Sequence, residues 1–204
     1  MSPEGLTHCV FLKAIKGAGG DLPAVIDRYP SAREIDHYTL HECDLSSVRA
    51  ILLPAHLDQR YFGEIAGVIA DFIQRGGRIV FNGHVAWPML PELQKFVPLP
   101  SNSLQNLMVT RLSSHMVFEG VTDADLTFRR GVAGFYARGH NPPPPGALLI
   151  NGVGPERLPC DWVLTKPSGG EILCHAGNDL WMYIDDQTTA GRIVPQLIAW
   201  AGRP

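Results

Sequence analysis

Apolar positions follow two patterns along the chain. Unbroken runs in HCVFLKAI (8–15), VRAILLPA (48–55) and RIVF (78–81) mark strands covered on both faces, as in parallel sheets. Between the last two, Tyr61, Phe62, Ile65, Val68, Ile69, Phe72 and Ile73 recur at helical spacing, giving one apolar stripe over 59–75. Asp58 stands ahead of it as an N-cap, and Gly76 and Gly77 supply a left-handed stop. Strand, helix and strand in that order predict a parallel, right-handed crossover.

The remaining segments extend this pattern. LPAVIDRY (22–29) predicts a short helix, and REIDHYTL (33–40) an edge strand with Ile35 and Tyr38 facing inward. LMVTRL (107–112) and DLTFRR (125–130) read as strands in a less regular middle. The proline run in HNPPPPGALLI (140–150) predicts a stiff surface connection. CDWVLTK (160–166) and GEILCHA (170–176) predict a hairpin around PSGG. Ile193, Val194, Leu197, Ile198 and Ala201 form the stripe of a last helix, with Pro195 in its first turn. The expected architecture is one α/β domain over 1–204: a doubly wound, mainly parallel sheet with an antiparallel extension in the C-terminal half. Ligands in such sheets bind beyond the carboxyl ends of the strands, which selects the loops 17–20, 54–58, 82–88 and 175–181.

Composition narrows the partners. Among 204 residues, 45% are apolar and 18% charged, which suits a globular core rather than a disordered chain. A formal net charge of -3 argues against nucleic acid and against an acidic membrane surface. No apolar run reaches membrane-spanning length, and no secretory leader pattern opens the sequence. Cys9, Cys43, Cys160 and Cys174 form no CxxC pair and read as free thiols in a reducing cytoplasm. The expected partners are a small polar ligand and further copies of this chain, with no nucleic acid, membrane, cofactor or resident metal.

The run RAILLPAHLDQRYFGEIAGVIADFIQRGGRIVFNGH resembles the core of class I glutamine amidotransferase-like domains. SHMVFEGV (114–121) is similar to a phrase of the trehalose-utilisation branch of that superfamily, and GEILCHAGND (170–179) stands where amidotransferases carry the strand bearing their histidine. The resemblance implies a flavodoxin-like fold and an elbow after RIVF. In the family that elbow holds a cysteine nucleophile in a Gly-x-Cys-x-Gly setting. Here it reads Asn82-Gly83-His84-Val85-Ala86. His175 matches the family's histidine, but Ala176, Gly177, Asn178 and Asp179 follow it instead of glutamate. Glutamine hydrolysis needs a thiolate beside a general base. The sequence offers the base without the nucleophile, so no glutaminase activity is expected.

Three histidines are the catalytic candidates: His84 at the elbow, His175, and His56 after the third strand. Each also has a plain reading, as turn packing for His84 and strand packing for His175, where Cys174 and His175 point to opposite faces. Asp58 near His56 reads first as a helix cap. Convergence of the three imidazoles on zinc lacks a supporting spacing motif. The ligand-binding candidates are His84, Asn82, His56, Asn178, Asp179 and Trp181, the last three in GNDLWMYIDD beside Tyr183. KGAGGD (16–21) is a phosphate-cradle candidate, although it fits no phosphate-loop motif and reads first as a strand-to-helix turn. The segment 129–145 gathers Arg129, Arg130, Phe135, Tyr136, Arg138 and His140 as a crevice loop, an oligomer contact or a solvated edge. Two functions follow from this reading. The first is an amidotransferase-like binding or assembly module. The second is an enzyme of another class, doing acid–base or metal-assisted work on a carbohydrate-like or other polar substrate.

Overall fold

Alternate residues of the apolar runs enter two different layers, and this builds the fold. In the computed structural model, which describes residues 8–14 and 22–203, the elements in chain order are as follows. The first half holds β1 (Cys9–Lys13), α1 (Leu22–Arg28), β2 (Ala32–Asp36), β3 (Ala50–Leu53), α2 (Gln59–Glu64), α3 (Ala66–Gln74) and β4 (Arg78–Asn82). The middle holds β5 (Val97–Pro98), α4 (Leu104–Leu107), β6 (Val109–Arg111), α5 (Asp123–Thr127), β7 (Phe128–Arg129), β8 (Val132–Ala133) and β9 (Gly139–His140). β10 (Leu148–Val153), β11 (Leu158–Thr165), β12 (Glu171–His175) and α6 (Ile193–Ala201) complete the chain.

Eight strands form one sheet in the order β2-β1-β3-β4-β12-β11-β10-β6. Pairing is parallel from β2 to β12 and antiparallel from β12 to β6. This is the expected mainly parallel sheet with an antiparallel extension. Phe11, Leu52, Val80 and Leu173 pack into a layer with α6, through Val194, Leu197 and Trp200. Val10, Ile51, Ile79, Phe81 and Cys174 pack into the opposite layer with α3, through Ile69, Phe72 and Ile73. The two-faced burial explains why these strands read as continuous apolar runs. The 160–176 hairpin and α6 with Pro195 in its first turn appear where the pattern places them.

Local chemistry redraws three elements. The 59–75 stripe is two helices, because Ile65 leaves helical geometry at φ −101°, ψ 17° between the weak helix formers Gly63 and Gly67. The strand from Arg33 ends at Asp36, whose carboxylate accepts the Tyr38 N–H and starts a 3₁₀ turn over His37–Glu42. That turn leaves Tyr38 49% exposed instead of inward-facing. The first half of DLTFRR is helix, because Thr122 caps α5 by accepting from Asp125 N, and only Phe128–Arg129 pairs as a strand. Asp58 does cap α2, accepting from Arg60 and Tyr61 N–H, and Gly76 stops α3 at φ +89°. The KGAGGD loop and the crevice loop 17–20 lie outside the described residues. No helix among the described residues is long and apolar enough to cross a membrane.

Candidate functional site

Sheet register assembles a polar row that crosses five strands. Arg111 of β6 stands opposite Asn151 of β10, Asn151 opposite Asp161 of β11, Asp161 opposite His175 of β12, and His175 beside Asn82 of β4. Arg111 donates to Asn151 Oδ1, and its other nitrogen donates to the Phe118 and Val121 carbonyls. Asn151 Nδ2 donates to Asp161 Oδ2 at 2.7 Å. His175 Nδ1 lies 2.6 Å from Asp161 Oδ1. The Tyr136 hydroxyl also donates to Asp161 Oδ2, at 2.5 Å.

This environment favours one hydrogen-bonding arrangement of the pair. Asp161 is fully buried and His175 is 1% exposed. Two donors, Tyr136 and Asn151, converge on Oδ2, which leaves Oδ1 to face His175. Facing a carboxyl oxygen favours the tautomer with hydrogen on Nδ1, with Nε2 turned toward Gly177. Nε2 has no hydrogen-bond partner among the described residues and lies under Gly177, where an added Cβ would come within 2.6 Å of it. Burial first, then the Asp161 carboxylate, push the Tyr136 hydroxyl pKa well above its ordinary value, so it stays a donor.

The corner after β4 lies above this row. Gly83 turns the chain at φ +98°, and a Cβ there would sit 2.8 Å from the Ala55 main chain. The left-handed position of the corner is therefore closed to a side chain. Two buried amides clamp the turn. Asn141 accepts from Val85 N–H and donates to Gly83 O, at 3.0 and 2.8 Å. Gln59 donates to His84 O and accepts the Ala86 and Trp87 N–H groups, at 2.7–2.9 Å. His84 projects from this clamp, exposed, with its ring stacked 3.6 Å from Phe96 at 11°. Burial, and next the neighbouring His175, hold the His84 pKa below the ordinary imidazole value.

A cleft of about 370 Å³ opens here, beyond the carboxyl ends of β3, β4 and β12. His56, His84 and Asn178 line it, together with Gly83, Gly177 and Arg138. His175 lies beneath the Ala176–Gly177 floor rather than on its surface. Thus His56 and His84 share the cleft wall, and the His175 imidazole is buried below. Among the described residues no three potential ligands are grouped to hold a metal ion.

The other sequence candidates take supporting positions. Asn82 is buried; it donates to Leu53 O at 2.9 Å and accepts from Leu180 N–H at 3.2 Å, tying β3 to the segment after β12. Asp179 Oδ1 accepts the Ala55 N–H at 2.7 Å and shapes the cleft rim. Trp181 packs edge-on to Phe11 in the core. Asn178 donates to Phe135 O at 3.0 Å, which docks the 129–145 segment over the cleft. In that segment Tyr136 is core and bonded to Asp161, whereas Phe135 is 43% exposed. Arg129 donates to Met182 O, and Arg130 takes the left-handed corner of the β7–β8 turn. Of the two residues CH at the end of β12, both are buried, Cys174 in the α3 layer and His175 against Asp161.

Asp161, Asn151, Gln59 and Asn141 escape the sequence reading. One signal was present for the first two. Asp161 interrupts the apolar strand CDWV, and Asn151 interrupts LLINGV. A lone polar residue inside a doubly covered strand must find a buried partner.

No family model matches the sequence. No curated protein matches it either. Among solved structures, the chain is similar to the "mmIFT52 N-terminal domain", with a TM-score of 0.56 and 12% identity, over 96% of this chain and 98% of that one. At that identity the likeness concerns the path of the main chain, an α/β fold with a mixed sheet, and nothing of the site.

Proposed function

We propose that this chain is a glutamine amidotransferase-like domain without glutaminase activity, which binds a small polar molecule in the cleft beyond β3, β4 and β12. One observation carries the reading: the corner after β4 presents the His84 imidazole to the cleft, at the position where the family pattern has a thiol, and the residue before it, Gly83, is packed against Ala55 with no room for a side chain. No thiol takes over the task. Cys174 faces the opposite layer, and burial raises the pKa of both Cys160 and Cys174. The retained cleft, with polar side chains on its wall, supports a ligand-binding role. The test is ammonia release from glutamine, together with a melting screen against small polar molecules. We expect no glutamine turnover and at least one stabilising compound. Glutamine turnover that survives Cys174→Ala and is lost in His84→Ala would overturn the reading.

A second reading is an acid–base enzyme, favoured by the His175–Asp161 pair. An imidazole oriented by a buried carboxylate, with Nε2 under a ligand cleft, has the form of a general base. The two readings part at His175→Gln. For a compound that binds the wild type, chemical change that stops in this variant while binding persists marks the enzyme.

The unpaired thiols support a reducing compartment such as the cytoplasm. Self-association through 129–145 is supported by the exposed Val132 and Phe135. Light scattering of wild type and Phe135→Ser tests it; a monomer at all concentrations would remove it.

A further inference from the structure

The cleft is one-sided in charge. Among the described residues its wall carries one guanidinium, Arg138, and two imidazoles, His56 and His84, with no carboxylate. The nearest carboxylates are committed elsewhere. Asp161, below the floor, accepts from Tyr136 and Asn151 and faces His175. Asp179, at the rim, accepts the Ala55 N–H.

Arg138 differs from the arginines outside the cleft that pair with carboxylates, as Arg28 does with Asp185 and Arg78 with Glu171. It forms no ion pair among the described residues. Its Nε donates to Gly134 O at 3.1 Å, which orients the guanidinium beside the cleft and leaves the terminal nitrogens available. Gly134 itself stands at φ +87°, a conformation that holds this carbonyl in place at low cost only for glycine. A planar fork of donors held in position beside a concave, partly enclosed surface matches a carboxylate or a phosphate. Phe135 adds an exposed apolar face next to that fork.

We propose that the cleft binds the oxyanion group of a small molecule, a carboxylate or a phosphate, with Arg138 as its anchor. The proposal rests on the reading of this cleft as a ligand site and adds the class of ligand. His84, its ring stacked on Phe96, contributes a mainly neutral imidazole N–H at neutral pH, because burial, and next the neighbouring His175, disfavour its charged form. The apolar remainder of the ligand lies along Phe135.

Calorimetric titration of the whole chain with inorganic phosphate, acetate, benzoate and neutral benzamide tests the proposal. Wild type, Arg138→Gln and Arg138→Lys are compared, with melting curves confirming that each is folded. We expect phosphate or the carboxylates to bind, benzamide to bind at least tenfold more weakly than benzoate, and Arg138→Gln to lose about tenfold in anion affinity. The lysine variant should keep part of the affinity, since charge survives and the fork does not. Preference between phosphate and benzoate assigns the group. Anion binding unchanged in Arg138→Gln would overturn the proposal. Binding of benzamide equal to that of benzoate would overturn it too, while leaving the cleft as a site for neutral polar ligands. If no anion binds but benzamide does, the anion assignment fails alone; if neither binds, the ligand-site reading fails with it.

Discussion

His175 Nδ1 meets Asp161 Oδ1 at 2.6 Å across directly opposed positions of β11 and β12, with both side chains sealed from solvent. A buried charge is tolerable only when its lone pairs are filled, and Tyr136, Asn151 and His175 together fill those of Asp161. The row Arg111–Asn151–Asp161–His175 is therefore a structural seam beneath the cleft.

Breaking this pair should be expensive. We predict that His175→Ala lowers unfolding free energy by about 3–5 kcal/mol, because it strands a buried carboxylate. Urea unfolding measures it, and a loss below about 1 kcal/mol would mean the carboxylate is already neutral or hydrated. Nitrogen NMR of the wild-type ring should show hydrogen on Nδ1. A ring protonated on Nε2 alone would contradict the assignment.

The corner after β4 should resist any side chain. Gly83→Ala forces a Cβ to 2.8 Å from Ala55 main-chain atoms in a left-handed conformation. Strain of about 1–3 kcal/mol is expected from the backbone alone, with the clash added to it. Gly177→Ala should be worse, since its Cβ would meet Tyr136 O at 1.7 Å and His175 Nε2 at 2.6 Å. Melting temperatures rank the two variants. A Gly83→Ala protein as stable as wild type would show that the corner has room for a side chain after all.

Stability should fall on mild acidification. Burial lowers the pKa of His84, His115 and His140 from 6.5. Between those lowered values and 6.5 the unfolded chain binds more protons than the folded one, so stability rises with pH in that window. It is fully present above pH 6.5 and is lost as pH falls through the lowered values. The lowered carboxyl groups of Asp44, Asp58 and Asp125 act in the same direction, but only near and below 3.8. We expect the urea midpoint to drop between pH 7.5 and 5.5. The drop should shrink in His84→Phe, which keeps a ring against Phe96. A midpoint that rises on acidification would reverse the assigned direction.

Thiol chemistry should report the layers. Burial pushes Cys9 up to about 12 and Cys160 and Cys174 upward as well, whereas Cys43 is half-buried and donates to Thr39 O. In the native protein a disulfide reagent should modify Cys43 quickly and the other three only after denaturant is added. Fast modification of Cys174 would place it at the cleft and end the no-nucleophile reading.

Some of this molecule was written in local order. The apolar runs specified β1, β3 and β4, because a strand covered on both faces must be apolar at every position. The stripe in 59–75 specified the helical segment, Asp58 its start and Gly76 its end, since caps and left-handed stops act over a few residues. The elbow carrying His84 instead of a cysteine was legible in the same way, as was the crevice it faces. Break points such as Ile65 and the turn after Asp36 were less so, because propensity there is nearly balanced and packing chooses.

The seam itself was not legible. Arg111, Asn151, Asp161 and His175 come from four strands separated by 40, 10 and 14 residues, and each looks like an isolated exception in its own strand. Only register across the antiparallel half sets them side by side, and a shift of one residue would send each to the other face. Sequence determined which segments become strands and that no thiol stands at the elbow. Tertiary structure decided that His175 would find Asp161, because a buried charge selects its partner by distance in space, not along the chain.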